Sequence, residues 1–152
     1  MNKKSSFEDY LNEKGTLTYS NVGVSMMPLL RQGKDLFTVR RKGSQRAKTG
    51  DVVLFRRPPD RYVLHRVIEV RPDDYVIMGD NCTGKEIGIK DDDILGIMIN
   101  FVRNGKIHEV TEPLYRFYTW LILHTISLRV FLKRLFGWGK RMIKHIVLRE
   151  HS

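Results

Sequence analysis

Short apolar runs, each ended by turn-forming residues, make up the middle of the chain. The runs are rich in Val, Ile, Phe and Tyr, a composition that favours β-strands. Gly, Pro, Asn and Asp separate them, and such short connections favour antiparallel pairing because parallel strands need long crossovers. The pattern therefore predicts a mainly β domain with antiparallel strands over residues 17–112. The strands are expected at residues 37–39, 51–55, 62–70, 75–78 and 94–102.

A short helix is predicted before this domain. Ser5 or Ser6 can cap it, the apolar residues that follow share one face, and Gly15 can end it. Residues 5–14 are therefore expected to be helical, within an N-terminal segment of residues 1–16.

Helical spacing of apolar residues returns after Pro113 and predicts an amphipathic α-helical extension over residues 113–152. Glycine lowers helix stability, so Gly137 and Gly139 are expected to break the extension into two helices.

Positive charge is concentrated in this extension. The chain has a net charge of +10, and residues 114–149 carry eight Lys or Arg and no acid. A localised basic surface that also holds aromatic residues predicts docking of residues 114–149 to an anionic membrane surface. The alternative is that Trp138, Met142 and Ile146 pack against the β domain. The chain shows no recognisable nucleic-acid-binding module, so nucleic acid is not an expected partner.

The composition gives no sign of a metal or cofactor. Cys82 is the single cysteine, which excludes an intramolecular disulfide and a Cys-rich zinc site, and the five histidines lack ligand-like spacing. Residues 1–15 contain no apolar run, so neither a signal peptide nor an N-terminal anchor is expected. The most apolar stretch, residues 118–128, is shorter than the about 20 residues that span a bilayer.

Three short segments carry residues suited to catalysis. Ser25 lies in Gly-Val-Ser-Met-Met-Pro, where a proline-fixed turn would expose its hydroxyl. His65 lies in the middle of a strong strand pattern, on the same face as Val63 and Val67, and imidazole is the default general base near neutral pH. Asp80 follows a strand in Gly-Asp-Asn and could orient a histidine. Each residue also has a structural interpretation, as a turn serine, a hydrogen-bonded histidine and a turn aspartate.

Taken together, the segments resemble the signal-peptidase-like serine peptidases, the group that also includes the LexA-like self-cleaving repressors. Ser25-Met26-Met27-Pro28 matches the Ser-Met-x-Pro nucleophile box, and Gly33-Lys34-Asp35 matches a Gly-Asp box with one residue inserted. Further matches in the same order are Thr49-Gly50-Asp51-Val52-Val53, His65-Arg66-Val67 and Gly79-Asp80-Asn81.

Histidine at the base position is typical of the archaeal and endoplasmic-reticulum-like branch, whereas bacterial signal peptidases and the self-cleaving repressors have lysine. The resemblance implies an antiparallel signal-peptidase/LexA-like β-fold and a serine endopeptidase that cleaves leader or signal peptides at or near a membrane. It implies that Ser25 attacks the peptide carbonyl, that its backbone N–H is an oxyanion donor, and that His65 accepts the proton. Asp80 is the first-choice acid and Glu86 the alternative, with Asp91 also open.

Two other functions remain open at this stage. The first is a catalytically inactive domain of the same fold that binds lipid or a protein partner through its basic extension. The second is a DNA-binding, self-cleaving regulator, which is disfavoured because such regulators use lysine as the base and place a helix-turn-helix before the protease domain.

Overall fold

The computed structural model describes residues 6–59 and 61–149, with side chains described as far as Arg141. Eight strands and three helices account for most of this chain, together with a short 3-10 turn at Asp91–Asp93. The elements in chain order are α1 (Phe7–Lys14), β1 (Thr16–Ser20), β2 (Leu36–Arg41), β3 (Val52–Arg57), β4 (Arg61–Val70), β5 (Tyr75–Met78), β6 (Glu86–Ile89), β7 (Ile94–Arg103), β8 (Lys106–Glu109), α2 (Pro113–His124) and α3 (Ile126–Arg149).

All the strands belong to one antiparallel sheet. Its order is β1-β2-β7-β3-β4-β5-β6, and β8 pairs with the end of β7. The mainly β, antiparallel class predicted from the sequence is therefore confirmed. Every predicted run lies within a strand or overlaps one, whereas β1, β6 and β8 were not predicted.

The sheet buries side chains on both of its faces. Alternation along β3 sends Val52 and Leu54 to one apolar cluster and Val53 and Phe55 to the other. All four side chains are buried, which explains why β3 reads as a continuous apolar run instead of an alternating one. Both faces of the sheet thus contribute to the core.

Helix α1 has the ends that its sequence predicts. The Ser6 hydroxyl accepts a hydrogen bond from the Asp9 N–H at 3.1 Å, and the Asp9 carboxylate accepts one from the Ser6 N–H. Gly15 ends the helix in the left-handed region, at φ 77°, where a side chain would be strained. Leu11 is buried in the core and fixes the helix against the sheet.

The C-terminal helices divide at Thr125, not at the glycines. Helix α2 ends there with the Thr125 N–H and hydroxyl both bonded to the Leu121 carbonyl, and α3 continues through Gly137 and Gly139. The predicted break is therefore wrong. A glycine costs a helix only about 1 kcal/mol relative to alanine, which the neighbouring helix formers offset. Among the described residues, no helix is both long and apolar enough to cross a membrane.

Candidate active site

The loop between β1 and β2 carries Ser25. Its neighbour Met26 and nearby Leu30 are buried in the core, and these anchors hold Ser25 half-exposed at the surface. Buried Asn21 closes the loop by donating hydrogen bonds to the Gly23 and Leu30 carbonyls, both at 3.2 Å. The nucleophile candidate is thus fixed by packing on one side and remains accessible on the other.

Asp35, of the Gly33-Lys34-Asp35 segment, stabilises the same loop from its far end. Its fully buried carboxylate pairs with Arg31 at 2.7 Å and with Arg103 at 3.3 Å. Burial by itself raises the pKa of Asp35, but the Arg31 hydrogen bonds and the charge of Arg103 outweigh it and hold the pKa at about 2. The carboxylate is therefore ionised at neutral pH and joins the C-terminal end of the loop to Arg103 of β7.

His65 lies in the middle of β4 and is buried. Its Nδ1 lies 2.8 Å from Glu86 Oε1, at the first residue of β6. Burial lowers the pKa of His65 below its usual value, and the charge and hydrogen bond of Glu86 only partly offset this effect. The imidazole is therefore neutral at pH 7, which is the form that a general base requires.

Glu86 is itself held by Arg57, at the end of β3. The guanidinium donates to both carboxylate oxygens, with Nε 2.8 Å from Oε2. Such a two-point contact fixes the plane of the carboxylate. The result is a chain of contacts, Arg57 to Glu86 to His65, that orients the ring and directs Nε2 away from the acid.

Asp80 does not contact the His65 ring, which corrects its selection as first-choice acid. Both of its carboxylate oxygens accept hydrogen bonds at 2.8 Å from Arg66, whose side chain is fully buried. Tyr118 also donates to Asp80, at 2.9 Å. Burial and the Asp80 charge raise the pKa of Tyr118, so its hydroxyl stays protonated as the donor. Asp80 is thus committed to a buried ion pair.

Arg66 follows His65 in β4, so its side chain lies on the opposite face of the sheet. For this reason Arg66 pairs with Asp80, whereas His65 contacts Glu86. Arg66 also donates to the Gly50 carbonyl at 2.9 Å and to Thr119 of α2 at 3.0 Å. The Gly50 carbonyl is therefore one of the acceptors of the buried Arg66 guanidinium, which also contacts α2 through Thr119.

The Ser25 segment and the His65 ring meet at Gly79. A Cβ atom at this glycine would lie 2.7 Å from the Ser25 carbonyl oxygen and 3.0 Å from His65 Nε2. Only glycine allows this approach, because both distances are shorter than ordinary carbon contacts. In the part of the chain that the structure describes, no hydrogen bond joins Ser25 Oγ to the ring. Contacts of this kind commonly tighten only with substrate bound.

Asn81 fastens the two segments together. Its backbone N–H donates to the Ser25 carbonyl at 2.7 Å, and its side-chain amide donates to the Val24 carbonyl at 3.0 Å. The Gly-Asp-Asn segment therefore has three separate roles: room at Gly79, the buried ion pair at Asp80, and a clamp on the nucleophile loop at Asn81.

An open groove of about 540 Å³ runs beside His65. Asn81 and Cys82 line it together with residues 83–86. Burial raises the pKa of the Cys82 thiol, which disfavours the thiolate. A larger groove of about 690 Å³ between residues 48–52 and α2 contains none of the candidate catalytic residues. The groove at His65 is therefore lined by the candidate base and by Glu86, whereas Ser25 is not among its lining residues.

Helix α3 contacts the loop that contains Asp80 and Asn81. Arg129 donates to the Asp80 carbonyl, and Lys133 donates to the carbonyl and side-chain oxygens of Asn81. These contacts were not predicted, because nothing in the spacing of the extension indicates which basic residues face the sheet. Arg57 and Arg66 were also missed as partners of the acids.

Within the described residues, no three His, Cys, Asp or Glu side chains converge to form a metal site. Comparison of the chain with protein-family models, with curated proteins and with solved structures finds no match in any of the three.

Proposed function

We propose that this chain is a serine endopeptidase with the signal-peptidase/LexA-like fold, in which Ser25 is the nucleophile and His65 the general base. The observation that carries the proposal is the position of the imidazole. One ring nitrogen contacts the Glu86 carboxylate at 2.8 Å, and the other points to Gly79, against which the Ser25 carbonyl is packed. An imidazole that contacts an acid on one side and lies beside the serine segment on the other supports a Ser-His-acid triad.

The first half of the reaction follows from these positions. Ser25 Oγ attacks the peptide carbonyl while His65 Nε2 takes the hydroxyl proton. Glu86 accepts a hydrogen bond from Nδ1–H throughout, so it fixes the tautomer and stabilises the imidazolium. The oxygen of the tetrahedral intermediate is negative, and the backbone N–H of Ser25 is the candidate donor to it.

The second half uses the same groups in reverse. The imidazolium gives its proton to the leaving amine as the C–N bond breaks, which leaves an acyl ester on Ser25. Water then enters, His65 takes its proton, and hydrolysis of the ester releases the carboxylate product and restores the hydroxyl.

The proposed substrates are leader or signal peptides, bound as an extended chain in the groove beside His65. Small residues before the cut are expected from the resemblance to signal peptidases. The groove opens to solvent beside His65 and Asn81, and Asn81 is bonded to the Ser25 carbonyl, which supports substrate binding next to the nucleophile loop.

The test is cleavage of internally quenched peptides that carry small residues before the cut, with mass spectrometry to locate the cleaved bond. Ser25→Ala and His65→Ala should each remove activity while far-UV circular dichroism stays unchanged. Cys82→Ala tests the neighbouring thiol as the alternative nucleophile, and cleavage should persist in this variant if Ser25 is the nucleophile.

Two outcomes would contradict the assignment. Undiminished cleavage by Ser25→Ala, with activity lost in Cys82→Ala, would make the cysteine the nucleophile. Absence of cleavage by the wild-type chain over the whole peptide set would favour a binding domain that does no chemistry.

A further inference from the structure

Helix α3 has an apolar face that the rest of the chain does not cover. Its members are defined here as the apolar face: Leu128, Phe131, Leu132, Leu135 and Trp138. They recur three or four residues apart, so they lie along one side of the helix. Phe131 is 62% exposed and Trp138 63% exposed. Every side chain from residue 131 to residue 138 is exposed, and within this range Lys133 keeps a contact with Asn81 of the protein body.

The orientation of α3 is set by the opposite side of the helix. Arg129 and Lys133 lie away from the apolar face and bond to the Asp80–Asn81 loop. Because these bonds lie on the opposite side of the helix, the apolar face stays exposed at Leu128, Leu132, Leu135 and Trp138, and Phe131 borders a groove that it shares with residues 83–85. The alternative in which Trp138 packs on the β domain is therefore not what the structure shows. Met142 and Ile146 lie outside the described side chains.

We infer that the apolar face of α3 docks to an anionic bilayer surface, with the helix lying in the plane of the interface. Charge complementarity selects this occupant. Residues 126–149 contain seven Lys or Arg and no acid. An amphipathic helix with bulky apolar and aromatic residues on one side and only basic charge elsewhere is suited to the headgroup region of anionic lipid.

Other occupants fit the face less well. A second copy of α3 would bring seven positive charges against seven others, with no acid to pair with them. A nucleic acid would neutralise the charges but would leave the apolar residues in water. An anionic lipid surface pairs with the basic side chains and also removes the apolar side chains from water.

Docking would place the candidate site near the lipid. Lys133 bonds to Asn81, and Asn81 bonds to the Ser25 carbonyl, so the helix and the nucleophile loop are joined by two contacts. Each contact is short, so the helix and the loop cannot lie far apart.

The experiment is co-sedimentation of the full chain, as Ser25→Ala, with phosphatidylcholine vesicles that contain or lack about one third phosphatidylglycerol. The inactive variant separates docking from catalysis, so either proposal can fail alone. We expect pelleting with anionic vesicles at low salt, little pelleting with neutral vesicles, and weaker binding at high salt.

Variants identify the surface. Phe131→Ser with Trp138→Ser should weaken binding more than tenfold, and Lys140→Gln with Arg141→Gln should weaken it about 25-fold, since each charge near anionic lipid contributes about a fivefold factor. Ile107→Ser on β8 is the matched control, because Ile107 is 64% exposed and lies outside α3. It should bind as the parent chain does.

Three results would overturn the inference. The chain could stay in the supernatant with anionic vesicles at low salt. It could bind equally well after Phe131→Ser with Trp138→Ser, which would leave charge alone as the cause. It could form a dimer that these substitutions dissociate without binding vesicles, which would make a second copy the occupant.

Discussion

Replacing Glu86 by Gln removes the carboxylate that faces His65 Nδ1 but keeps a side chain of the same size. At about 4 Å and an effective dielectric of about 20, a carboxylate and an imidazolium attract each other by about 4 kcal/mol. Two features of the structure reduce this value. Glu86 shares its charge with Arg57, and its side chain is 24% exposed to water.

We therefore expect Glu86→Gln to lose about half of this attraction, or about 2 kcal/mol of transition-state stabilisation. This corresponds to a fall in kcat/KM of about 30-fold. The loss should fall mainly on kcat, because the imidazolium forms only as the reaction proceeds.

The acid limb of the pH profile gives an independent readout. Burial already lowers the pKa of His65, Glu86 raises it, and Arg57 lowers it. Loss of Glu86 should therefore lower the pKa further and move the acid limb of kcat/KM to lower pH. Arg57→Gln removes a lowering charge, so its acid limb should move to higher pH.

The assay is kcat/KM for a quenched peptide across the acid and neutral range, with unfolding followed in parallel. Glu69→Gln is the matched control, since Glu69 also lies on the sheet, in β4, but pairs only with the exposed Arg71 among described residues. The reasoning is refuted if Glu86→Gln keeps the wild-type kcat/KM and an unshifted acid limb.

Two further predictions test the surroundings of the site. Gly79→Ala should lower the free energy of unfolding by about 1–3 kcal/mol and reduce cleavage, because its Cβ would meet the Ser25 carbonyl at 2.7 Å. Gly43→Ala is the control: its Cβ would have nothing within 4 Å, so stability and cleavage should stay at the wild-type level. Urea denaturation measures the free energy of unfolding, and the quenched-peptide assay measures cleavage. Wild-type activity in Gly79→Ala would contradict the predicted clash with the Ser25 carbonyl. Asp80→Asn should cost about 3–5 kcal/mol in urea denaturation, because it leaves the buried Arg66 charge uncompensated, and a change below about 1 kcal/mol would show that the pair is not isolated from water.

The strands that the sequence predicts are those with dense β-branched and aromatic content. β3 and β4 are of this kind, since each needs several apolar residues for the two buried clusters. β1 and β8 are short edge or end strands with many polar residues, and β6 is a four-residue edge strand with a glycine; their pairing comes from neighbours already in the sheet. Local composition therefore could not reveal them.

For the candidate site, the sequence identifies Ser25 and His65 because their motifs are local: a proline-fixed turn, and a histidine within a strand. The choice of acid is not local. Asp80 and Glu86 lie six residues apart, and which one meets His65 depends on the sheet register. In that register Arg66 faces the side of β4 where Asp80 lies, and the start of β6 brings Glu86 to the other side.

The same distinction applies to the C-terminal extension. Its sequence establishes helical periodicity and a strong positive charge, because both depend only on residue type and spacing. Which face of α3 meets the protein is decided by the tertiary structure, through the bonds from Arg129 and Lys133 to the loop at Asp80 and Asn81. Periodicity defines two sides of a helix, but only the partners within reach determine which side is buried.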